Sequence, residues 1–471
     1  MRTLAVHTRT SEKVGLVIDH GRVTEYTAAR PEAPLLSGSI YKGIVQSIHK
    51  GLQAAFVDIG EGKNAFLRKD SIPWCKESIE QTITEGQYLY AQVIKEPTGN
   101  KGAQLSLDLT IPGFSVIYQP FGSRISVSKK IDKQLGIQLK YDIEGVLEKG
   151  EGAILRTTAS QTNAEEVAQE LTMLKKEWSS CMKSDKPGLI WSDEVILNQF
   201  IRKHGAECDL VLVDSAEVSQ TLKRRYPSLL NKIQWRKNLE NDTHQLVNEL
   251  QDQLIKRTVT TNKGVQLIFD STEAMTVIDV NSHQYMDKSF SSAEALKINK
   301  HAAVEIARQV RLRNYSGMIL IDFISMKRND HNEKLIDWLR KETSRDSVYT
   351  KVHGVTKLGL MEVTRTRQLP SVNEQMLRFI EQEYNIPSHW YRLERYLMNN
   401  DQHEAVLLKV NTDLYDWKKQ LRLEPVSSKI PQELFVKRDE HITGWQIELE
   451  GSLDIVKDAA ENRGHAVDNL F

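Results

Sequence analysis

Alternating apolar and polar positions dominate the first hundred residues of the chain. Thr3–His7, Val14–Ile18 and Val23–Tyr26 read as short strands, with turns at Ser11–Lys13 and His20–Gly21. A proline joint at Pro31 and Pro34 follows. Ser39–Ile48, Ala54–Asp58, Asn64–Leu67, Gln87–Ile94 and Gln104–Leu107 then alternate again between glycine-rich turns, the signature of a small antiparallel barrel. The period changes after residue 111. Ser115–Gln119 and Gly152–Arg156 read as strands, and Asn163–Lys183 carries Val167, Leu171 and Leu174 at the spacing of a surface helix. Asp209–Asp214 is strand-like and His244–Lys256 helical. Residues 257–367 alternate: strands Gln266–Phe269 and Met275–Val280, a long amphipathic helix Ser292–Leu312, a buried strand Gly317–Phe323 and a helix Asn332–Thr343. That order predicts an α/β layer. A helix at Val372–Glu383 and strands Ala405–Val410 and Trp445–Leu449 make the end of the chain α+β.

Composition narrows the class. At 471 residues the chain is too long for one folding unit, and 40 % hydrophobic with 27 % charged residues is an ordinary globular balance. No run approaches the ~18 apolar residues of a bilayer span. The opening MRTLAVHTRTSEKVG has no apolar stretch of the secretory kind, so a soluble cytoplasmic protein with no membrane partner is expected. Lys plus Arg and Asp plus Glu are both 63, so nothing in the net charge calls for a polyanion, and any such binding must be local. Cys75, Cys181 and Cys208 are far apart and form no C-x-x-C pair, which argues against a disulfide framework or a cysteine zinc site within one chain.

Two aspartates carry the candidate chemistry. In Met275–Ser282 a period of two puts Val277, Asp279 and Asn281 on one face; in Met318–Ile324, Asp322 stands near the end of a second apolar run. An ionised carboxylate in an apolar strand is costly unless paired or bound to a metal. If the two strands are neighbours, both carboxylates emerge together, and two hard oxygen ligands suit Mg²⁺, or Mn²⁺ in its place. Such an ion activates water and stabilises charge on a phosphate. The plainer alternative has each aspartate capping a loop or pairing with an arginine. Between them, Lys297, Lys300, Arg308, Arg311 and Arg313 face one acid, Glu305, over residues 297–313. A solvated helix face explains such a run; beside metal-holding carboxylates, Arg308 and Arg311 become candidate contacts to a phosphate backbone. In the barrel, Phe56 and Phe66 fall on adjacent strands with Lys101 in a glycine turn. Rings on an OB-type barrel stack bases while lysines track phosphates; the alternative is that both rings fill the core. Tyr88 and Tyr90 are open in the same way.

These residues together resemble the catalytic region of the bacterial ribonuclease E/G family over roughly residues 1–367. The stretches that carry the likeness are Asp270–Ser282, Glu305–Arg313, Met318–Met326 and Leu358–Arg365, preceded by Ile40–Gly43, the AAFVDIG run and GNKGA. The resemblance implies a multidomain α+β chain. Its parts would be a split ribonuclease H-like domain (1–35 and 186–255), an S1-type OB barrel (36–110), a 5′-sensor-like domain (111–185), a DNase I-like α/β catalytic domain (256–367) and a small C-terminal domain (368–471). It further implies that Asp279 and Asp322 hold Mg²⁺, that Asn281 orients one of them, and that Phe56, Phe66 and Lys101 bind single-stranded RNA. Arg156 and Thr157 would contact a 5′-monophosphate, a pairing that suits a guanidinium fork and a hydroxyl. The implied activity is cleavage of A/U-rich messenger or ribosomal precursor RNA. A non-catalytic RNA-binding or ribosome-associated protein of the same fold is the competing reading, and a phosphodiesterase acting on DNA or small nucleotides a more distant one.

The chain departs from the family at several points. The family's Cys-Pro-x-Cys element, which shares zinc between two subunits, is missing from residues 364–377. No zinc is expected, and a homodimer would rest on protein packing. Ile125 and Ser126 stand where the family has glycines ahead of its sensor loop, Asn314 where many members have aspartate, and Ser325 in an Ile-Asp-Met position. The larger members' long C-terminal arm has no counterpart here, and size favours the ribonuclease G-like form.

Overall fold

The computed structural model describes residues 1–471 except 35, 98–100, 183–186, 273, 282–290, 327, 379–381, 418–429, 464–465, 468–469 and 471. The chain divides into two compact units. One comprises Met1–Glu32, Cys208–Ala216 and Trp235–Phe471, the other Ala33–Glu207 and Glu217–Gln234. The architecture is multidomain α+β, and the first unit is discontinuous in sequence. Its opening strand Arg2–His7 pairs antiparallel with Lys13–Asp19 and parallel with Leu210–Val213, Thr3 opposite Leu210.

Within the first unit, a six-stranded sheet runs in the order Thr258–Thr260, Gln266–Ser271, Met275–Asn281, Gly317–Asp322, Leu360–Arg365, Thr350–Val355. All its pairings are antiparallel except Met275–Asn281 with Gly317–Asp322. A helix must cross between parallel strands, and Ser292–Leu312 does so. It starts with a capping box in which Ser291 and Glu294 satisfy each other's backbone N–H. That helix and Asn329–Thr343 cover one face of the sheet, burying Leu267, Phe269, Ile278, Val280, Ile319 and Ile321 against Ala302, Ile306, Val310 and Leu335. Strand alternation leaves the other face open.

The second unit contains the barrel. Ile40–His49, Ala54–Asp58, Ala65–Arg68, Gln104–Ser106 and Tyr88–Lys95 follow one another in the sheet, and Ile40–His49 closes it by also pairing with Tyr88–Lys95. Tyr41, Ala55, Val57, Leu67, Leu89 and Leu105 fill it. A four-stranded sheet lies beside the helices Lys133–Glu144 and Ala164–Cys181 in the same unit, and strand Gly188–Trp191 pairs with Ile40–His49.

Two expected helices differ. The run Val372–Glu383 is helical only over Val372–Met376. Leu377 then turns extended and bridges Tyr384, placing its side chain in the core; 379–381 lie outside the described residues. The helix expected from His244 starts at Val247, because His244 adopts a left-handed conformation that ends a preceding short helix. Helix Ile386–Asn399, which the pattern did not flag, carries the main ionic anchor of the unit. Its Arg395 donates to Glu12 at 2.7 Å, and Arg30 donates to the other oxygen of the same carboxylate at 2.7 Å. Gln251 adds a third donor at 3.0 Å. Asn314, the departure noted in the sequence, is explained here. Its amide donates to the carbonyls of Leu369 and Pro370 while its oxygen accepts from Arg365, a set aspartate could not make.

Glu12 is fully buried. Burial alone would raise its carboxyl, but Arg30 and Arg395 overcome that and hold it down at about 2. A depressed carboxyl stabilises the fold above its unfolded pKa, and the contribution drains away as pH falls towards the folded value. Glu12→Gln should therefore be less stable than wild type by about 3 kcal/mol at pH 7. The gap should close between about pH 5 and pH 2. Chemical denaturation of both proteins across that range checks it.

Candidate active site and nucleic-acid surfaces

The parallel register sets Asp279 directly opposite Asp322. Neighbouring strands lie ~4.8 Å apart, so the carboxylates stand side by side. Both are on the face the helices leave open, Asp279 half-buried and Asp322 exposed. Asn281 Nδ2 donates to Asp279 Oδ2 at 2.7 Å, fixing that carboxylate. The Asp322 carboxylate has no hydrogen-bond or ion-pair partner among the described residues, so the alternative of a loop cap or an arginine pair fails for it there. Two hard oxygen groups at one height, one of them pinned, fit a cation that keeps several waters. The segment 282–290, which follows Asn281, lies outside the described residues.

The same open face carries a pair the sequence analysis missed. Ile268 is opposite Asp279, and Asp270 follows two residues on. Arg257 grips Asp270 with both Nε and Nη2, at 2.5 and 2.8 Å. Thirteen residues separate the partners across a hairpin, and only strand register relates them to Asp279.

Arg308 and Arg311 are not placed as the sequence suggested. Arg308 sits half-buried, bonding Glu305 and the carbonyl of Val23. Arg311 is half-buried too, and burial pushes its guanidinium down despite the nearby acids Asp346, Glu25 and Glu342. Arg313 is 1 % exposed and lies over the Phe269 ring at 4.6 Å. The helix packs against strand Arg22–Ala29 as well as its own sheet, so the three arginines are turned into the fold, whereas Lys297 is exposed and Lys300 lies over the Trp338 ring.

In the barrel, Ala55, Val57, Ala65 and Leu67 point inward and are fully buried, which leaves Phe56 and Phe66 on the outer surface. They are cross-strand partners with ring centres 5.6 Å apart. Both stay partly exposed, so they do not fill the core. Lys101 is exposed beside them. The chain there passes so close to the next strand that a Cβ on Gly102 would lie 2.0 Å from the Asn64 carbonyl oxygen, and Ala103 accepts from the Phe66 N–H at 2.7 Å. Glycine is required by that approach. The rest of the turn, 98–100, is outside the described residues. Tyr88 is exposed with the Lys42 ammonium over its ring, whereas Tyr90 packs edge-on against Trp178.

Arg156 and Thr157 face different surroundings. Arg156 is half-buried and donates to the Gly113 carbonyl at 2.6 Å. Burial, and then the Arg202 charge, push its guanidinium down. Thr157 is exposed, its hydroxyl 3.1 Å from that of Ser128. Lys129 and Lys130 follow Ser128 at the surface. Cys75 and Cys181 are half-buried and Cys208 is buried. No described helix is long and apolar enough to cross a membrane.

Comparison with known proteins agrees with this geometry. The model of the ribonuclease E/G family matches residues 110–368, and that of the S1 RNA binding domain matches residues 36–108. Ribonuclease G of Escherichia coli K12 is 32 % identical over 394 residues, 78 % of this chain and 80 % of that protein. Ribonuclease G of Haemophilus influenzae is 32 % identical over 381 residues, 76 % and 77 % of the two chains. Ribonuclease E of Nostoc is 31 % identical over 359 residues, 72 % of this chain and 52 % of its own.

Two carboxylates at ~5 Å repel by about 1 kcal/mol even in a water-like dielectric. In EDTA, Asp322→Asn should therefore melt above wild type. Millimolar Mg²⁺ should reverse the order by stabilising wild type alone, a crossing that thermal denaturation reads directly.

Proposed function

The chain belongs to the ribonuclease E/G family, and on that premise we propose that it is a Mg²⁺-dependent endoribonuclease acting on single-stranded, A/U-rich RNA in ribosomal RNA maturation or messenger turnover. The observation that carries the reading is the register pairing of Asp279 with Asp322, with Asn281 bonded to Asp279. On this reading the six-stranded sheet and its helices are the DNase I-like catalytic domain. The N-terminal strands with residues 186–255 are the ribonuclease H-like domain, 111–185 the 5′-sensor-like domain and 368–471 the small C-terminal domain.

Asp279 and Asp322 would hold the ion, and Asn281 keeps Asp279 in one orientation. The ion supplies Lewis acidity to the attacking water and positive charge to the phosphate. Water adds to phosphorus in line with the 3′-oxygen, the P–O3′ bond breaks and the 3′-oxygen takes up a proton. The products are a 3′-hydroxyl and a 5′-phosphate. The open sheet face gives a strand access to the carboxylates. Phe56 and Phe66 offer two adjoining rings for bases and Lys101 a cation for the backbone. Thr157 and the neighbouring Ser128 hydroxyl offer donors to a 5′-phosphate, with Arg156 behind them. On this reading Arg308, bonded to Glu305 and the Val23 carbonyl, and the half-buried Arg311 are not assigned a contact with RNA. With no cysteine in residues 364–377, protein packing alone would hold a homodimer.

The competing reading, an RNA-binding protein without catalysis, is separated by one experiment. A fluorescent, unstructured A/U-rich RNA of about twenty nucleotides is offered with a 5′-monophosphate or a 5′-hydroxyl, in Mg²⁺ or EDTA. Wild type should cut internally only with Mg²⁺, and Asp322→Asn should lose more than about a hundredfold in rate. Binding by both proteins with cleavage by neither would establish the non-catalytic reading. Phe56→Ala should raise KM about tenfold with kcat nearly unchanged, the loss of one stacked base. Thr157→Ala should lower the ratio of 5′-monophosphate to 5′-hydroxyl cleavage without affecting the 5′-hydroxyl rate.

A further inference from the structure

A hairpin stands at the edge of the sheet where the two aspartates emerge. Strands Thr350–Val355 and Leu360–Arg365 are joined by the four residues Thr356–Gly359. Leu360, the first residue after the turn, is the register partner of Asp322, as Asp322 is of Asp279. One strand spacing, ~4.8 Å, therefore separates the Asp322 backbone from the base of the hairpin tip. The tip also lies at the carboxyl ends of the parallel pair, the edge at which sheets with parallel strands place ligands.

Thr356 holds the turn rigid from inside. Its N–H donates to the Leu360 carbonyl at 2.8 Å, and its carbonyl accepts from the Gly359 N–H at 3.0 Å. Its hydroxyl oxygen accepts from the N–H groups of Leu358 and Leu360, each at 3.2 Å. Gly359 closes the turn at a φ of 91°, a conformation that favours glycine. The polar groups of the turn are thus largely satisfied within it.

Two side chains are left in solvent. Leu358 is 87 % exposed, the highest value of any large apolar side chain among the described residues. Lys357 is exposed as well, with no hydrogen-bond or ion-pair partner among those residues. A lone surface leucine needs no explanation. A leucine and an unpaired lysine on a rigid turn, one strand away from a carboxylate pair, form a contact surface that costs little ordering entropy to use. Glu362, two residues along the strand from Leu360, is exposed and acidic. It repels a polyanion, so of the two ends of that strand the tip is the one that favours a phosphate backbone.

Resting on the nuclease reading, we propose that this tip clamps the RNA strand beside the phosphate held at Asp279 and Asp322. Leu358 packs against a flanking nucleotide, and Lys357 pairs with the next phosphate. An aliphatic side chain offers no hydrogen bond to a base edge, so the contact positions the strand without reading its sequence.

Fluorescence anisotropy with the 5′-hydroxyl A/U-rich RNA tests the proposal. The RNA is titrated, in Mg²⁺ and over a range of salt, with the full chain carrying Asp322→Asn, in which cutting does not obscure binding. In that parent, Leu358→Ala should weaken binding about fivefold, the loss of one partly covered apolar side chain, and Leu358→Met should restore it. Lys357→Ala should lower the slope of log affinity against log salt by about 0.7, one phosphate contact on a single strand. Melting temperatures should not change, because both side chains are exposed. Unchanged affinity and salt slope in both variants, with Phe56→Ala still weakening binding, would overturn the tip contact and leave the nuclease reading standing. A changed sedimentation coefficient of the free protein in Leu358→Ala would make the tip a protein contact and overturn the proposal as well. No RNA binding by the parent would overturn the tip contact together with the reading it rests on.

Discussion

One pairing governs the candidate active site. Met275–Asn281 and Gly317–Asp322 run parallel, and parallel neighbours must be joined by a crossover. The long helix that makes the crossover also covers one face of the sheet, which commits the alternate residues of both strands to the other face. In a parallel pair the register is fixed by the buried residues, here Ile278, Val280, Ile319 and Ile321. A slip of one residue in either strand would turn that strand's aspartate into the buried face. Asp279 and Asp322 are therefore held side by side by hydrophobic packing on the far side of the sheet.

The same packing explains the fate of the basic helix. Its periodicity shows an apolar stripe and a charged face, and a charged face is ordinarily wet. Here a second layer, the strand Arg22–Ala29, lies against that face, and the arginines become interior donors. Arg308 reaches the Val23 carbonyl, and Arg22 reaches Glu305 at 2.6 Å. Sequence period reports which residues share a face but not how many layers cover it. The coverage is a tertiary fact, and it separates Lys101, which stays at the surface, from Arg308, which does not.

Short-range pattern made much of the rest legible. Strands Ala54–Asp58 and Ala405–Val410 and helix Ser292–Leu312 begin and end where alternation, glycines and the Ser-x-x-Glu cap place them. The outward placement of Phe56 and Phe66 follows from alternation once their inward neighbours Ala55, Val57, Ala65 and Leu67 are accepted as core. What stayed hidden depends on partners distant in sequence. Arg156 turns to the Gly113 carbonyl, 43 residues away, and Arg395 finds Glu12 across 383 residues. Leu377 leaves its helix for a bridge to Tyr384 because a core position awaits it. Period and propensity contain none of these partners.

The distribution of satisfied and unsatisfied carboxylates ties fold to chemistry. Glu12 is surrounded by two guanidiniums and an amide, Asp346 is locked to Arg365, and Asp214 and Glu240 accept from backbone and side-chain donors. Each is interior, where an unpaired charge would be costly. At the open sheet face the rule is relaxed. Asp279 receives one amide and Asp322 no donor among the described residues, and water can solvate what the protein leaves unpaired. The fold thus spends its arginines on holding its layers together and leaves two adjacent carboxylates in reach of solvent. Such a pair gains from a divalent cation that replaces mutual repulsion by shared attraction.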